Sequence, residues 1–300
     1  MTALVCLLAG FAAAQANPKP HRQTPFVFKA NVGEVLVHAT VVNKKGQPAI
    51  HLPESDFAIY ENGVRQQIQY FSQDDAPVSV GILVDNSGSM VDSRPAVDRA
   101  AINFIKASNP GDQEFVVNFN DEYYLDAAFT NNIPKLQNAL QHIESRGGTA
   151  LYDATIASLD YMSNNARNDK HVLLIITDGD DDASRYTLEQ TVHLLQSKNA
   201  PLIYSIGILD HDDTRSMKRS AERALKALSS ATGGVAYFPK DLKQVNAITL
   251  AVAQEIRSQY TFAYHSNQTG AGFRKISITV KDKHQKHLLL RTRKGYYSPQ

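Results

Sequence analysis

Five consecutive residues, Asp85-Asn86-Ser87-Gly88-Ser89, have the types and the spacing to bind a hard metal ion. One carboxylate and two hydroxyls alternate along a short loop, so all three can face one centre. They offer oxygen ligands with a single negative charge. That set suits Mg²⁺, which binds through few protein oxygens and keeps positions for water or another ligand. The loop therefore predicts an incomplete metal site that accepts an oxygen from outside the chain.

Two other segments share the position of this loop in the predicted structure. The loop follows Val78–Val84, an apolar and β-branched run that predicts a buried strand. Thr177-Asp178-Gly179 follows a second such run, and Arg146-Gly147-Gly148-Thr149 precedes a helix predicted from Leu151. Open α/β sheets bind ligands at the carboxyl ends of their parallel strands. We therefore expect the three segments to meet at one end of one sheet.

The elements that position these segments alternate between strand and helix from Val78 to about Gln259, which predicts the α/β class. We expect a doubly wound, mainly parallel, Rossmann-like sheet with helices on both faces, and an antiparallel edge strand at Tyr123–Phe129. The predicted strands are Val78–Val84, Glu114–Phe119, Tyr123–Phe129, Lys170–Thr177, Pro201–Leu209 and Gly234–Phe238. The predicted helices are Val91–Ala107, Ile133–Ile143, Leu151–Met162, Ser184–Lys198, Thr214–Ser230 and Leu242–Gln259.

The flanks of this region have the alternating pattern of β-strands. Neither flank has enough strands to be stable alone, so we predict that they pair into one small β-sandwich in which the α/β domain is inserted. An Asn62-Gly63 pair predicts a two-residue hairpin turn. The predicted flanking strands are Val35–Val42, Phe57–Tyr60, Val64–Ile68, Tyr260–Tyr264, Lys275–Val280 and His287–Arg291. The predicted domains are 26–76 and 260–300 for the two halves of the β module and 77–259 for the inserted domain.

The amino terminus has the pattern of an export signal. An apolar run, Ala3–Ala14, ends in an A-x-A motif at Ala14-Gln15-Ala16, which predicts a signal peptide over residues 1–16 and a flexible leader over 17–25. The run is too short to span a bilayer, and we predict no transmembrane segment elsewhere. Cys6 is the single cysteine of the chain. The signal-peptide pattern predicts an exported protein, periplasmic or secreted. The alternative is an apolar leader on a cytosolic protein.

Composition restricts the partners only weakly. The chain has 300 residues and a net charge of +1, with 43% hydrophobic and 20% charged residues, which is typical of a globular protein. The stretch Arg274–Lys294 is rich in Lys and Arg. We favour a solvated edge strand over a polyanion-binding site for this stretch, and so expect no nucleic-acid partner. The oligomeric state stays open.

The three loop segments, in this order and on these predicted elements, resemble the metal-ion-dependent adhesion site (MIDAS) of the von Willebrand factor type A domain. The resemblance covers about residues 78–259. It implies that hydroxyls bind the metal and that the carboxylates act directly or through water. It also implies Mg²⁺ or Mn²⁺, with Ca²⁺ ranked behind them, and a protein partner whose acidic side chain supplies the last ligand. The metal-binding residues that it implies are Asp85, Ser87, Ser89, Thr149 and Asp178.

The flanks carry a second, looser resemblance. Gly46-Gln47-Pro48, the segment Asp56–Gly63 and the terminal Arg291–Tyr297 resemble an exported bacterial subgroup of type A proteins that is common in Acidobacteria. This resemblance names no physiological role.

Four of the five site residues also have a purely structural interpretation. Asp85 and Ser87 are residue types that cap helices, and Thr149 could cap the helix that follows it. Asp178 could simply end a strand in a turn. The acidic run Asp180–Asp182 could bind a second cation such as Ca²⁺, but we favour a solvated loop.

Three functions compete at this stage. The first is metal-dependent protein binding without catalysis, which we prefer. The second is a metal-dependent hydrolase or phosphotransferase with Asp85 as its nucleophile. Phosphotransferases of the haloacid-dehalogenase type have a second aspartate two residues on, where this chain has Ser87 and so lacks the usual general acid. The third is a structural subunit with a vestigial site. The presence of all five metal-binding residues that the resemblance implies argues against it.

Overall fold

The computed structural model describes residues 34–141, 145–209, 214–281 and 287–298. The predicted signal peptide and leader lie outside the described residues. The strands are β1 Glu34–Val42, β2 Phe57–Glu61, β3 Val64–Gln66, β4 Ile68–Ser72, β5 Val78–Asp85, β6 Gln113–Phe119, β7 Tyr123–Thr130, β8 Lys170–Thr177, β9 Leu202–Gly207, β10 Ala236–Tyr237, β11 Tyr260–His265, β12 Gly272–Val280, β13 Leu289–Thr292 and β14 Gly295–Ser298. The α-helices are α1 Arg94–Lys106, α2 Ile133–Gln141, α3 Leu151–Asn165, α4 Leu188–Leu195, α5 Arg215–Thr232 and α6 Lys243–Arg257.

A six-stranded sheet with the order β10-β9-β8-β5-β6-β7 forms the centre of the inserted region. Its strands are parallel except for β7, which pairs antiparallel with β6 at the edge. Alternate side chains of β5 enter two separate cores: Ile82 packs among α1, α2 and α6, and Leu83 among α3, α4 and α5. Burial on both faces explains why β5 and β8 are continuously apolar. The predicted mixed α/β fold, with a mainly parallel, helix-flanked sheet, is confirmed.

The order of the strands defines where a ligand site can form. From β5 the chain continues to β6 and β7 on one side, and it then returns to build β8, β9 and β10 on the other. The strand order therefore reverses between β5 and β8, which are direct neighbours. A crevice opens at such a reversal, outside the carboxyl ends of the two strands. Asp85 ends β5 and Thr177 ends β8.

The terminal segments form two antiparallel sheets with the orders β13-β1-β11-β4 and β14-β12-β2-β3. Strand β1 lies between the C-terminal strands β11 and β13, and β12 pairs with β2. The two sheets share one apolar core that includes Val37, Ile59, Phe262 and Ile276. N-terminal and C-terminal strands thus complete each other's sheets, although the domain boundaries stay predictions.

Some predicted elements differ from those in the structure. The Asn62-Gly63 turn is confirmed, because both residues have positive φ and Glu61 pairs with Val64 across it. The single strand predicted over Val64–Ile68 is wrong: β3 ends at Gln66 and β4 begins in the other sheet two residues later. Strand β14 was not predicted. Among the described residues, no helix has the length and apolarity needed to cross a membrane.

Two helices begin later than predicted. A helix was predicted from Ser184, but α4 begins at Leu188 because Thr187 and Gln190 form a capping box. A helix was predicted from Val91, but a 3-10 turn over Gly88–Val91 comes first and α1 begins at Arg94.

Candidate metal centre

The carboxylate of Asp85 is buried at the base of the crevice between β5 and β8. Its Oδ1 accepts a hydrogen bond from the Ser87 backbone N–H at 2.8 Å, and its Oδ2 accepts one from Thr177 Oγ1 at 2.5 Å. Burial raises the pKa of Asp85, although the bonds from Thr177 and Ser87 and the charge of Arg94 oppose that rise. Asp85 is thus held by both neighbouring strands at the carboxyl end of the sheet.

A row of hydroxyls leads from this carboxylate towards solvent. Ser87 Oγ lies 3.2 Å from Ser89 Oγ, and Ser89 Oγ donates to Asp178 Oδ1 at 3.0 Å. Thr149 Oγ1 lies 3.2 Å from the point where a Cβ on Gly179 would stand, so this hydroxyl is beside the residue that follows Asp178. The structure therefore brings together the five side chains that the sequence analysis selected. Four are buried, and Ser89 is exposed.

The capping interpretations do not account for these hydroxyls. Ser87 precedes the 3-10 turn, but its side chain makes no capping hydrogen bond. The N-cap position of α3 belongs to Ala150, not to Thr149. Both hydroxyls are therefore available for another use at the mouth of the crevice.

The donor set fits a hard divalent cation. It consists of three hydroxyls and two carboxylates on three separate loops, and oxygen ligands are those that Mg²⁺ and Mn²⁺ prefer. Within the described ranges, His, Cys, Asp and Glu side chains form no cluster of three that could hold a metal. A metal here would therefore depend on the hydroxyls, which are neutral ligands. Where the two carboxylates act through water, the cation keeps positive charge that favours an additional anionic ligand.

Beneath the loop lies a buried guanidinium that the sequence analysis did not identify. Arg94 is 6% exposed and donates five hydrogen bonds of 2.7–3.1 Å. Its acceptors are the carbonyl oxygens of Asp85 and Leu140, the amide oxygens of Asn86 and Asn118, and the carboxylate of Asp98. Arg94 thereby connects the first loop to β6, α1 and the end of α2. No motif indicated this role, because an arginine at a helix start is ordinarily exposed.

Backbone hydrogen bonds join the loops directly. The Arg146 N–H donates to Asn86 O at 2.9 Å, and the Gly88 N–H donates to Gly147 O at 3.1 Å. The Ala150 N–H donates to Asn120 O at 2.6 Å. The Gly-Gly-Thr segment is therefore fixed against both the first loop and the turn after β6, so its threonine has a defined position relative to the serines.

The acidic residues near the site accept backbone N–H groups. Asp181 Oδ2 accepts from the Tyr152 N–H at 2.9 Å in the first turn of α3, and Asp182 Oδ1 accepts from the Thr149 N–H at 2.7 Å. Asp121 Oδ1 accepts from the Gly148 N–H at 2.7 Å. The run Asp180–Asp182 lies at the surface, with Asp182 exposed, and two of its carboxylates also hold the segment that carries Thr149.

Replacing Gly147 by alanine is expected to destabilise the protein by about 0.5–1.5 kcal/mol more than the same change at Gly46, which is the net contribution of one hydrogen bond. Both glycines have φ of +75°, so each alanine incurs a similar backbone strain. A Cβ at Gly46 meets nothing within 4 Å, whereas one at Gly147 would lie 1.9 Å from Asp121 Oδ2 and displace that carboxylate. Urea unfolding of both variants measures the difference. An excess that persists in the Asp121→Ala background would contradict this explanation.

Comparison with known proteins agrees with this fold. Residues 80–180 match the model of the von Willebrand factor type A domain. Among curated proteins, none matches the chain in sequence. A von Willebrand factor type A structure from Catenulispora acidiphila is 13% identical with a TM-score of 0.53, and the alignment covers 87% of this chain and 73% of that one.

A second similar structure carries a metal. Proximal thread matrix protein 1 from the mussel byssus, with a zinc-occupied MIDAS motif, is 17% identical with a TM-score of 0.53. The alignment covers 66% of this chain and 50% of that protein, so the chain spans about half its length. At these identities the likeness shows the fold alone. The family match identifies a von Willebrand factor type A domain around residues 80–180 of this chain, and the structural likeness agrees with its fold.

Proposed function

We propose that this protein is a metal-dependent protein-binding module. A divalent cation, Mg²⁺ or Mn²⁺, is held by the hydroxyls of Ser87, Ser89 and Thr149, with Asp85 and Asp178 acting directly or through water. The observation that carries the proposal is the convergence of these oxygens at the reversal point of the sheet, with Ser89 open to solvent. The zinc-occupied MIDAS of the mussel protein supports a divalent metal in this type of site.

The cation would supply a positive centre with an open coordination position. The chain's own residues orient this centre outward, because Asp85 lies at the base and Ser89 at the mouth. With neutral hydroxyls as its main ligands, the site favours an anionic oxygen from outside. An acidic side chain of a partner protein is the ligand that we propose.

The surface beside the site suits a protein partner. Three consecutive large side chains, Tyr123, Tyr124 and Leu125, are 43–49% exposed on the edge strand β7. They follow the turn that carries Asp121, whose carboxylate binds the Gly148 N–H. Contiguous exposed apolar side chains are typical of interaction surfaces. A partner that reached the metal could also cover this edge.

We propose a binding role rather than catalysis. A phosphotransferase mechanism would need Asp85 as a nucleophile, but its side chain is fully buried and both carboxylate oxygens accept hydrogen bonds.

We also propose that the protein is exported. Detection of a mature N-terminus near residue 17 after expression with its leader would support export, and an intact Met1 would contradict it.

The metal site is tested by thermal unfolding in EDTA and in excess Mn²⁺. Ligand that binds only the native state adds about 2.7 kcal/mol of stability at a concentration 100 times its Kd. The wild type should therefore melt at a higher temperature in Mn²⁺, and Thr149→Val should lose this increase. Thr155→Val is the matched control, because its hydroxyl donates to Leu151 O and not to the site. An equal increase in wild type and Thr149→Val would remove the site assignment.

The partner is tested by affinity capture on the immobilised protein in Mg²⁺ and in EDTA. A specific partner should be retained in Mg²⁺ by the wild type and lost in EDTA or with Thr149→Val. Mutation of one acidic residue of that partner should abolish binding. A partner retained equally in EDTA would contradict the proposed mode of binding.

A further inference from the structure

We infer that Asp121 and Asp182 are positioning residues that fix Thr149 for metal binding, an inference that rests on the proposed function. Neither residue belongs to the five that the motif selects. Asp182 Oδ1 accepts the Thr149 N–H at 2.7 Å, and Asp121 Oδ1 accepts the preceding Gly148 N–H at 2.7 Å. Two consecutive amides are thus held by two carboxylates from different loops.

Both backbone polar groups of Thr149, its N–H and its carbonyl, are held by hydrogen bonds. The Thr149 carbonyl accepts from the Asp182 N–H at 3.1 Å and from the Ala183 N–H at 3.2 Å. The same short segment therefore binds the donor and the acceptor of one residue. Such paired contacts restrict the rotation of the backbone and so fix the position of the Thr149 Cβ, from which the hydroxyl extends. Hydrogen bonds to a charged acceptor are also stronger than neutral ones.

Gly147 and Gly148 leave room for the carboxylates of Asp121 and Asp182 to reach these amides. A Cβ on Gly148 would stand 2.6 Å from Asp182 Oδ1 and 2.9 Å from Asp121 Oδ1. A Cβ on Gly147 would stand 1.9 Å from Asp121 Oδ2. Side chains at either position would push the carboxylates away from the amides. The Gly-Gly-Thr sequence therefore leaves room for two aspartates that are distant in sequence. Asp121 lies 26 residues before Gly147, and Asp182 lies 33 residues after Thr149.

The same aspartates also connect Thr149 to neighbouring loops, one of which carries the metal ligand Asp178. Asp182 is four residues beyond Asp178 on the same loop, and Asp121 follows Asn120, whose carbonyl accepts the Ala150 N–H at 2.6 Å. The loops after β6 and β8 thus hold Thr149 from two directions. We propose that loss of either carboxylate leaves the five ligand side chains intact but misplaces one of them, which weakens the metal site without removing it.

The experiment measures Mn²⁺ affinity through the electron paramagnetic resonance signal of the free ion. Residues that orient metal ligands typically change affinity by about 10–100-fold when mutated, and we expect a weakening of this size for Asp182→Ala. Asp182→Asn keeps an oxygen that can accept the Thr149 N–H, so we expect it to restore affinity to within about fivefold of wild type, the scale of a screened charge effect. Asp121→Ala should also weaken binding and provides a second test if Asp182→Ala does not fold.

The control for charge is Glu122→Ala. Glu122 is on the same turn as Asp121, and its carboxylate accepts from the Tyr124 hydroxyl rather than from the loop. This variant should bind Mn²⁺ to within about fivefold of wild type. Wild-type affinity in Asp182→Ala and Asp121→Ala, or equal losses in Asp182→Ala and Asp182→Asn, would overturn the inference alone. A wild-type protein that binds no Mn²⁺ would overturn the proposed function as well.

Discussion

Replacing Arg94 by methionine is expected to lower the free energy of unfolding by about 3–5 kcal/mol. The guanidinium donates to four buried acceptors and to the partly exposed carboxylate of Asp98. Methionine fills a similar volume but donates nothing, so two amide oxygens, two carbonyls and the Asp98 carboxylate lose a partner. Buried acceptors without partners cost about 1–3 kcal/mol each when they cannot reach water. Urea unfolding measures the change.

Two further variants separate the hydrogen bonds from charge and helix effects. Arg94→Lys retains the charge but not the planar fork of donors, and should still destabilise by about 1–3 kcal/mol. Arg99→Met makes the same substitution at an exposed position of α1 and should change stability by less than about 0.5 kcal/mol. A loss at Arg94 no larger than that at Arg99 would show that the buried hydrogen bonds contribute little.

Replacing Glu255 by alanine should lower the free energy of unfolding by about 3 kcal/mol. Its carboxylate joins α6 to the antiparallel sheets, since Oε1 accepts from Thr40 Oγ1 at 3.2 Å and Oε2 accepts from Arg291 at 2.6 Å. Tyr204 of the central sheet also donates to it at 2.9 Å. Burial, followed by the charge of Glu255, raises the pKa of Tyr204 well above its usual range. Removing the carboxylate leaves the buried hydroxyls of Thr40 and Tyr204 without this acceptor and the partly exposed Arg291 without its ion pair.

The matched control for Glu255 is an exposed glutamate on another helix. Glu222→Ala removes an exposed ion pair with Lys226 on α5 and should cost less than about 0.5 kcal/mol. Glu255→Gln retains an acceptor and should cost less than Glu255→Ala. Urea unfolding with separate probes for the two regions shows whether they unfold together. Equal stability of Glu255→Ala and Glu222→Ala would contradict a connecting role for this carboxylate.

The sequence predicted the elements whose positions depend on local pattern. Continuous apolar runs ending at Asp85 and Thr177 identified two buried strands, which are neighbours in the sheet. The side chains that follow them, Ser89 and Asp178, came together as expected. The edge strand from Tyr123 was predicted from the short connection before it and is confirmed. These predictions succeed because burial on both faces of a parallel sheet selects apolar, β-branched residues directly.

The supporting contacts could not be predicted, because they join residues distant in sequence. Arg94 contacts Leu140, and Asp121 and Asp182 contact the Gly148-Thr149 segment. Charged side chains carry no periodic signal, and their usual location is the surface. The change of sheet between β3 and β4 was missed for a related reason: one residue separates two strands that the alternating pattern shows as one. Tertiary packing decides such cases.

The most direct test of the account is isothermal titration of Mg²⁺ into the wild-type protein and into Ser87→Ala. The account predicts one ion bound per chain by the wild type and an affinity at least about tenfold lower in Ser87→Ala. Ser163→Ala is the control, since its hydroxyl donates to Asp160 O at the end of α3, away from the site. It should bind like the wild type. Absence of Mg²⁺ binding to the wild type, or equal affinity in wild type and Ser87→Ala, would contradict the account.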